Sequence, residues 1–259
     1  MPGETDLDRR LIQIDGEDAK PFLQNLVTNN VEKLANGLVY SALLTPQGKF
    51  LADFFMVPFG RTLLLDVHEK LADRTLNRLS LYKMRANVQF EILSEQVCRG
   101  IVNPPPGAFA DPRHPSLGWR VYGTAECGTD QADWNAIRVA HCIPESCTEL
   151  IPDSTYILEA GFDRLNGVDF TKGCYVGQEV TARMRHKTKL RKGLATVEIN
   201  GSARTGDPIW ANGREVGKIF TISGKLAIAF LRFDRLGDLE LSAGDARVSL
   251  LPMPVSVEN

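Results

Sequence analysis

One stretch of the chain carries residue types and a spacing that could do chemistry: Lys172-Gly173-Cys174-Tyr175-Val176-Gly177-Gln178-Glu179-Val180-Thr181-Ala182-Arg183. A cysteine between two glycines, just ahead of a helical signal, would lie near unpaired N–H groups and a partial positive charge that favour a thiolate. Lys172, two residues earlier, adds to that field. The glycines allow positive φ or a close backbone approach to a ligand. From the residues alone, a reactive thiol and a glycine-shaped turn around an inert, buried cysteine are equally good readings. The next candidate is a charge run. Arg183, Arg185, Lys187, Lys189, Arg191 and Lys192 place six cations in ten positions with no acid among them. Such a run is most often a solvated helix end; it could also hold the carboxylates of an anionic ligand or RNA phosphates. Trp134 sits at helical spacing, which usually means core, but an indole can also stack on a flat heterocycle. Asp53 interrupts the apolar run of Leu51, Phe54 and Phe55. Alternation makes it solvent-facing, with ligand contact as the lesser reading.

The elements that must position these residues follow from periodicity and turn residues. Leu11, Ile12 and Ile14 make a short strand ended by Asp15-Gly16, and Asp18 is placed to cap a helix with Phe22, Leu23, Leu26 and Val27 on one face. Val39 to Leu44 and Phe50 to Val57 are strands joined by the Thr45-Pro46-Gln47-Gly48 turn. Thr62 to Val67 is a strand and His68 to Tyr82 an amphipathic helix. Val88, Phe90 and Ile92 alternate as in a half-buried strand, Val97 to Val102 continues the sheet, and Asn103 to Gly107 is a loop. Trp119 to Tyr122 reads as a strand and Asp130 to Ala140 as a helix. From Gly193 onward, short β-rich pieces separated by glycine turns indicate a small antiparallel barrel. Strands mixed with hairpins and helices in this order give an α+β fold rather than a doubly wound parallel sheet.

Composition narrows the classes. The chain has 259 residues, 43% hydrophobic and 24% charged, with a formal net charge of −2, so neither disorder nor bulk electrostatic binding of nucleic acid is expected. No apolar stretch approaches the roughly 20 residues of a spanning helix, so no membrane association is expected. The acidic start, MPGETDLDRR, resembles neither a secretory signal nor a transit peptide, which gives a cytoplasmic expectation. In that compartment Cys98, Cys127, Cys142, Cys147 and Cys174 should be reduced thiols, four of them small and buried. Phosphate-loop, dinucleotide and zinc-protease motifs are absent. A permanent iron–sulfur cluster normally takes about four cysteine ligands. Only Cys174 has a plausible ligand setting, so no permanently bound metal is expected.

The segment KGCYVGQE followed by Arg183 resembles the signature of the YgfZ family of folate-binding proteins, which assist iron–sulfur cluster assembly and share the fold of the glycine-cleavage aminomethyltransferase, GcvT. Ile14-Asp15-Gly16 with Phe22 to Asn29, Ala42 to Lys49, and Trp134 to Glu145 are similar to further segments of that family. The resemblance implies a three-domain GcvT/YgfZ-like ring with ferredoxin-like α/β domains and a C-terminal antiparallel β-barrel. Residues 1–55 and 130–192 would form a discontinuous folate-binding domain, 56–129 an inserted ferredoxin-like domain, and 193–259 the barrel.

It also implies a tetrahydrofolate-binding accessory factor for assembling or repairing clusters in client enzymes, tRNA-modifying ones included, rather than a catalyst. A tetrahydrofolate-dependent aminomethyl or one-carbon transferase is the alternative, and an RNA-binding module a third. Cys174 with Lys172 would be the working pair, in a motif of Lys172, Gly173, Cys174, Tyr175, Gly177, Gln178, Glu179 and Arg183, with Cys174 as a transient metal ligand. Trp134, Asp53, Arg183 and Arg185 would bind tetrahydrofolate or a derivative. Partners would be folate and iron–sulfur client or assembly proteins. Some family members carry an aromatic residue before the first strand, where this chain has Arg9-Arg10.

Overall fold

A computed structural model describes residues 2–123, 126–186, 190–237 and 239–252. Lys187 and Lys189 of the cationic run lie outside the described residues. The chain begins with β1 (Glu4–Thr5), β2 (Arg9–Asp15), α1 (Ala19–Gln24), a 3-10 turn (Val31–Asn36), β3 (Val39–Leu44), β4 (Phe50–Phe59) and β5 (Thr62–His68). Helix α2 (Glu69–Lys83), β6 (Gln89–Leu93), β7 (Gln96–Gly100), β8 (Phe109–Ala110), β9 (Trp119–Gly123), α3 (Trp134–Ala140) and α4 (Gln178–Arg185) follow. The last section holds β10 (Gly193–Asn200), β11 (Pro208–Ala211), β12 (Arg214–Ser223), β13 (Leu226–Leu231), β14 (Leu241–Ala243) and β15 (Ala246–Leu250).

These elements make three sheets. A five-stranded antiparallel sheet runs β3-β4-β5-β2-β6, a four-stranded one β1-β7-β9-β8, and β10 to β15 close a barrel in the order β10-β13-β12-β11-β14-β15. The 55/56 division expected from the resemblance falls inside β4, whose pairing with β5 continues to Phe59↔Thr62. Strand β4 is buried from Phe50 through Val57 on both faces, which is why its sequence lacks clean alternation. The main core joins this sheet to residues 139–168, with Phe50, Phe54, Phe55 and Phe162 fully enclosed. A second cluster, with Val197, Ile209, Ile219 and Ala229, fills the barrel.

Several local expectations change on folding. Asp18 does not cap α1 with its side chain but accepts a hydrogen bond from Asn87 N at 2.7 Å. Helix α3 starts at Trp134 rather than near Asp130, because the Asp133 carboxylate caps it by accepting from Ala136 N at 2.9 Å. The cysteines are not all reduced and separate: Cys98 on β7 and Cys127 form a disulfide, with their Cα atoms 5.5 Å apart. The two stand 29 positions apart in sequence, so only the fold brings them together. Cys142, Cys147 and Cys174 are free thiols. Cys142 alone among these is fully buried, and burial pushes its pKa up to about 11.

Candidate functional site

The segment around Cys174 is a loop held at both ends. At its start, the Lys172 ammonium donates to the main-chain carbonyls of Gln24, the last residue of α1, at 2.6 Å and of Val27, three residues beyond it, at 2.5 Å. Three residues earlier, Asp169 accepts from Thr171 N at 2.8 Å and pairs with Lys33 at 2.9 Å. Burial works to raise the Asp169 pKa, but bonds from Thr171 and Lys33 win and hold it at about 2.

At the loop's end, Gly177 has φ +84° and packs against the β3–β4 hairpin; a Cβ there would meet Thr45 O at 2.6 Å and Gly48 Cα at 3.1 Å. The hairpin is the expected tight turn, closed by Gly48 N donating to Thr45 O at 2.8 Å. Gln178 Oε1 accepts from Tyr175 N at 3.2 Å and ties the loop back on itself. Between these anchors, Cys174 is exposed.

This arrangement corrects part of the electrostatic expectation. Helix α4 begins at Gln178 with Gly177 as its cap, so Cys174 lies four residues outside the helix rather than at its N-terminus. Lys172 is engaged with carbonyls, and Arg183 forms an exposed ion pair with Glu179 at 2.8 Å. The thiol is exposed on this anchored loop, with Lys172 turned to carbonyls and the helix starting beyond it. The rest of the described cationic run is dispersed. Arg185 lies over the Phe170 ring at 3.7 Å, and Lys192 approaches Glu159 at 3.6 Å.

A second feature is a polar cavity of about 450 Å³, lined by Asp6, Arg9, His68, Arg99, Trp134, Arg138, Ser146 and Cys147 among others. Trp134 is neither pure core nor an open platform. Its Nε1 donates to the Glu4 carboxylate, and the Arg99 guanidinium lies 4.3 Å from its ring centre. Asp53 is buried rather than solvent-facing, since β4 has no solvent face. It accepts from Tyr40 Oη at 2.8 Å and from the Ser146 hydroxyl, which puts it directly behind the cavity wall. The structure therefore places Trp134 in the cavity lining and Asp53 outside it, in contact with the lining residue Ser146. Arg183 and Arg185 are not among its lining residues.

Next to the cavity lies a buried ion network that sequence reasoning missed. Asp66 on β5 bonds Arg9 at 2.5 Å, Arg120 at 3.1 Å and Tyr122 Oη at 2.9 Å, and Arg120 also reaches Asp6 at 2.8 Å. Arg113 pairs with Asp111 at 2.8 Å. The guanidiniums of Arg9, Arg113 and Arg120 surround the Phe55 ring at 5.6, 4.8 and 4.6 Å. Burial opposes the charge on Asp6, yet Arg120, Arg99 and Arg9 lower its pKa. Two signals existed in the sequence: an acid inside the apolar run of β5, and arginines where an aromatic residue was expected.

Comparison with known proteins places these features in context. Residues 191–255 match the family described as CAF17, C-terminal beta-barrel domain. The whole chain superposes on the glycine cleavage system aminomethyltransferase T of Bartonella henselae with a TM-score of 0.78 at 13% identity, covering 98% of this chain and 85% of that one. The fold is thus GcvT-like, with mixed α/β content and a closed six-stranded barrel. The human protein described as "Iron-sulfur cluster assembly factor IBA57, mitochondrial" is 29% identical over 93% of this chain and 81% of its own length. Its Pyricularia oryzae counterpart is 28% identical over 90% of this chain and 72% of its own length.

Its curated relatives are iron–sulfur cluster assembly factors. They are also mitochondrial by description, which overturns the cytoplasmic expectation drawn from the N-terminal residues. No helix among the described residues is long and apolar enough to cross a membrane.

Proposed function

We propose that this chain is an iron–sulfur cluster assembly factor that presents Cys174 as a thiol ligand to a cluster in transit toward client enzymes. The observation that carries the reading is the exposed, free Cys174 on a loop anchored at both ends, in a chain whose relatives are assembly factors. The cluster is cargo: one thiolate gives up its proton to the surroundings, holds one iron site and releases it, because the remaining ligands belong to the donor or recipient. A soft thiolate suits iron, and an accessible one suits exchange. Clients include cluster enzymes that modify tRNA. Cys174→Ser keeps the volume and removes the soft ligand. The variant is expected to fold normally and to fail in restoring cluster-enzyme activities to cells lacking the protein. Full restoration would rule the reading out.

The same proposal assigns tetrahydrofolate, or a derivative, to the polar cavity. The volume, the indole of Trp134 and the polar lining suit a flat polar heterocycle, while Arg9, Arg99 and Arg138, paired with Asp66, Glu4 and Glu149, would have to be shared with a ligand's acidic tail. Trp134 and Arg99 would hold the ring, and Ser146, backed by Asp53, would face its donors. Folate bound here supplies one-carbon chemistry where a transferase uses it, and serves an assembly factor as a structural or sensing ligand. Trp134→Ala should lose roughly 1–3 kcal/mol of tetrahydrofolate affinity, the range for a lost aromatic stack. Titration calorimetry checks it, and unchanged affinity would leave Trp134 as the partner of Glu4 and Arg99 only. A tetrahydrofolate-dependent transferase is the second reading, favoured by the full-length likeness to an aminomethyltransferase fold. Formation of methylene-tetrahydrofolate from an aminomethyl donor separates the two.

A further inference from the structure

We propose that Lys172 is a positioning residue: together with Gln24 it clamps the Cys174 loop onto the end of α1 and thereby fixes where the exposed thiol is presented. The inference rests on the reading of Cys174 given under Proposed function and deepens it.

The contacts around Lys172 are reciprocal. Its ammonium donates to the carbonyls of Gln24 and Val27, while Gln24 Nε2 donates to the Lys172 carbonyl at 3.4 Å. Gln24 is itself fixed, because its Oε1 accepts from Val31 N at 2.9 Å. The Gln24 carbonyl, at the C-terminal end of α1, has no partner within the helix, so a cation there is well placed. The neighbouring residues repeat the pattern: Asp169 N donates to Thr28 O at 3.0 Å, and the Asp169 carboxylate pairs with Lys33. Residues 169–172 are thus laid along residues 24–33. Gly177 is seated on the β3–β4 hairpin, and the four residues 173–176 bridge two fixed points. Gly173 contributes backbone freedom alone, with φ +95° and nothing within 4 Å of a Cβ position.

The experiment uses the full chain and the variants Lys172→Met, Lys172→Arg and Gln24→Ala. Amide hydrogen exchange at residues 173–176 reads the clamp directly. The pH profile of iodoacetamide alkylation at Cys174 reads the thiol's charge state, and thermal melting reads the fold. Lys172→Met is expected to speed exchange at 173–176 by about tenfold or more, the scale of a lost charge-assisted hydrogen bond. The alkylation midpoint should stay in place, melting should still show a cooperatively folded chain, and support of cluster enzymes should fall. Lys172→Arg should restore slow exchange and support, and Gln24→Ala should reproduce the faster exchange with Lys172 intact. Unchanged exchange in Lys172→Met and Gln24→Ala would overturn the proposal. So would a raised alkylation midpoint with unchanged exchange, because Lys172 would then act on the thiol's charge. Full cluster support by Cys174→Ser would defeat the reading of Cys174, and the exchange data would judge the clamp independently.

Discussion

Asp66 shows what a single residue does in the middle of this molecule. It sits fully buried on β5, and its two oxygens receive Arg9, Arg120 and Tyr122. Burial and the neighbouring carboxylate raise the Tyr122 pKa, so the phenol stays a donor at all ordinary pH. Asp66→Asn would remove the charge and leave two enclosed guanidiniums short of a counter-ion. Breaking one side of a buried pair typically costs about 3–5 kcal/mol. The variant should therefore unfold at clearly lower urea concentration with an unchanged slope; a midpoint within error of wild type would mean that Asp6 and Asp111 carry the arginines alone. The sequence displays Asp66 as an acid in an apolar run, but its partners stand 57 and 54 positions away, and neither spacing nor periodicity encodes that. Cys174 and Trp134 could be picked out because their significance is local: glycines, a lysine and a helix start for one, a helical stripe for the other. Their surroundings could not. Lys172 was legible as a cation near a thiol, whereas its carbonyl partners, Gln24 and Val27, stand 148 and 145 positions earlier.

At the scale of elements, the β3–β4 hairpin and the 172–177 loop form one packing unit. The turn Thr45-Pro46-Gln47-Gly48 was readable because a tight turn names its own residues. Its second role, as the seat for Gly177, was not readable, since that contact crosses 129 positions and uses the absence of a side chain. A Cβ at Gly177 would meet Thr45 O at 2.6 Å with φ held at +84°, and a Cβ at Gly48 would meet Val180 Cβ at 2.8 Å. Both faces of the contact are backbone or β-branched and cannot give way cheaply. Gly177→Ala should therefore cost on the order of 1–3 kcal/mol, the range for a strained positive-φ position. It should also displace the start of α4, which thermal melts and amide exchange over Gln178–Arg185 would register. Gly173→Ala faces open space and should cost less, through φ alone. Equal effects at the two glycines would show that conformational freedom, rather than close approach, governs the loop. The same contrast explains α2 and β14. A fifteen-residue amphipathic helix declares itself, while the three residues Leu241–Ala243 become a strand only because β11 and β15 flank them.

Across the whole molecule, the sheets and α3 are joined by polar contacts that depend on charge state. Arg138 on α3 bonds Glu149 at 3.1 Å, and the Thr221 hydroxyl of the barrel strand β12 donates to the same carboxylate, tying barrel to core. On the other side, His114 and His141 stack with ring centres 4.0 Å apart, linking the loop before β9 to the end of α3. Each imidazole is held below its ordinary pKa. For His114 the causes are burial, then His141 and Arg164, with Asp111 opposing; for His141 they are burial and then Arg164. Geometry agrees, because His114 Nδ1 accepts from Ser116 N at 3.2 Å and Arg164 donates to the His141 carbonyl at 3.0 Å. Protonating His114 at Nδ1 would forfeit the first bond and set two like charges face to face beside a guanidinium. The folded state therefore binds these protons less tightly than the unfolded chain. The stability they confer is complete above the unfolded value near 6.5 and is lost as pH falls from there through the lowered folded values. Asp169, at about 2, titrates far below this window. The melting temperature of the wild-type protein should drop between pH 7 and pH 5, and the His114→Asn/His141→Asn double variant should show a smaller drop over the same interval. Parallel losses in the two proteins would assign the acid sensitivity to groups other than this stacked pair.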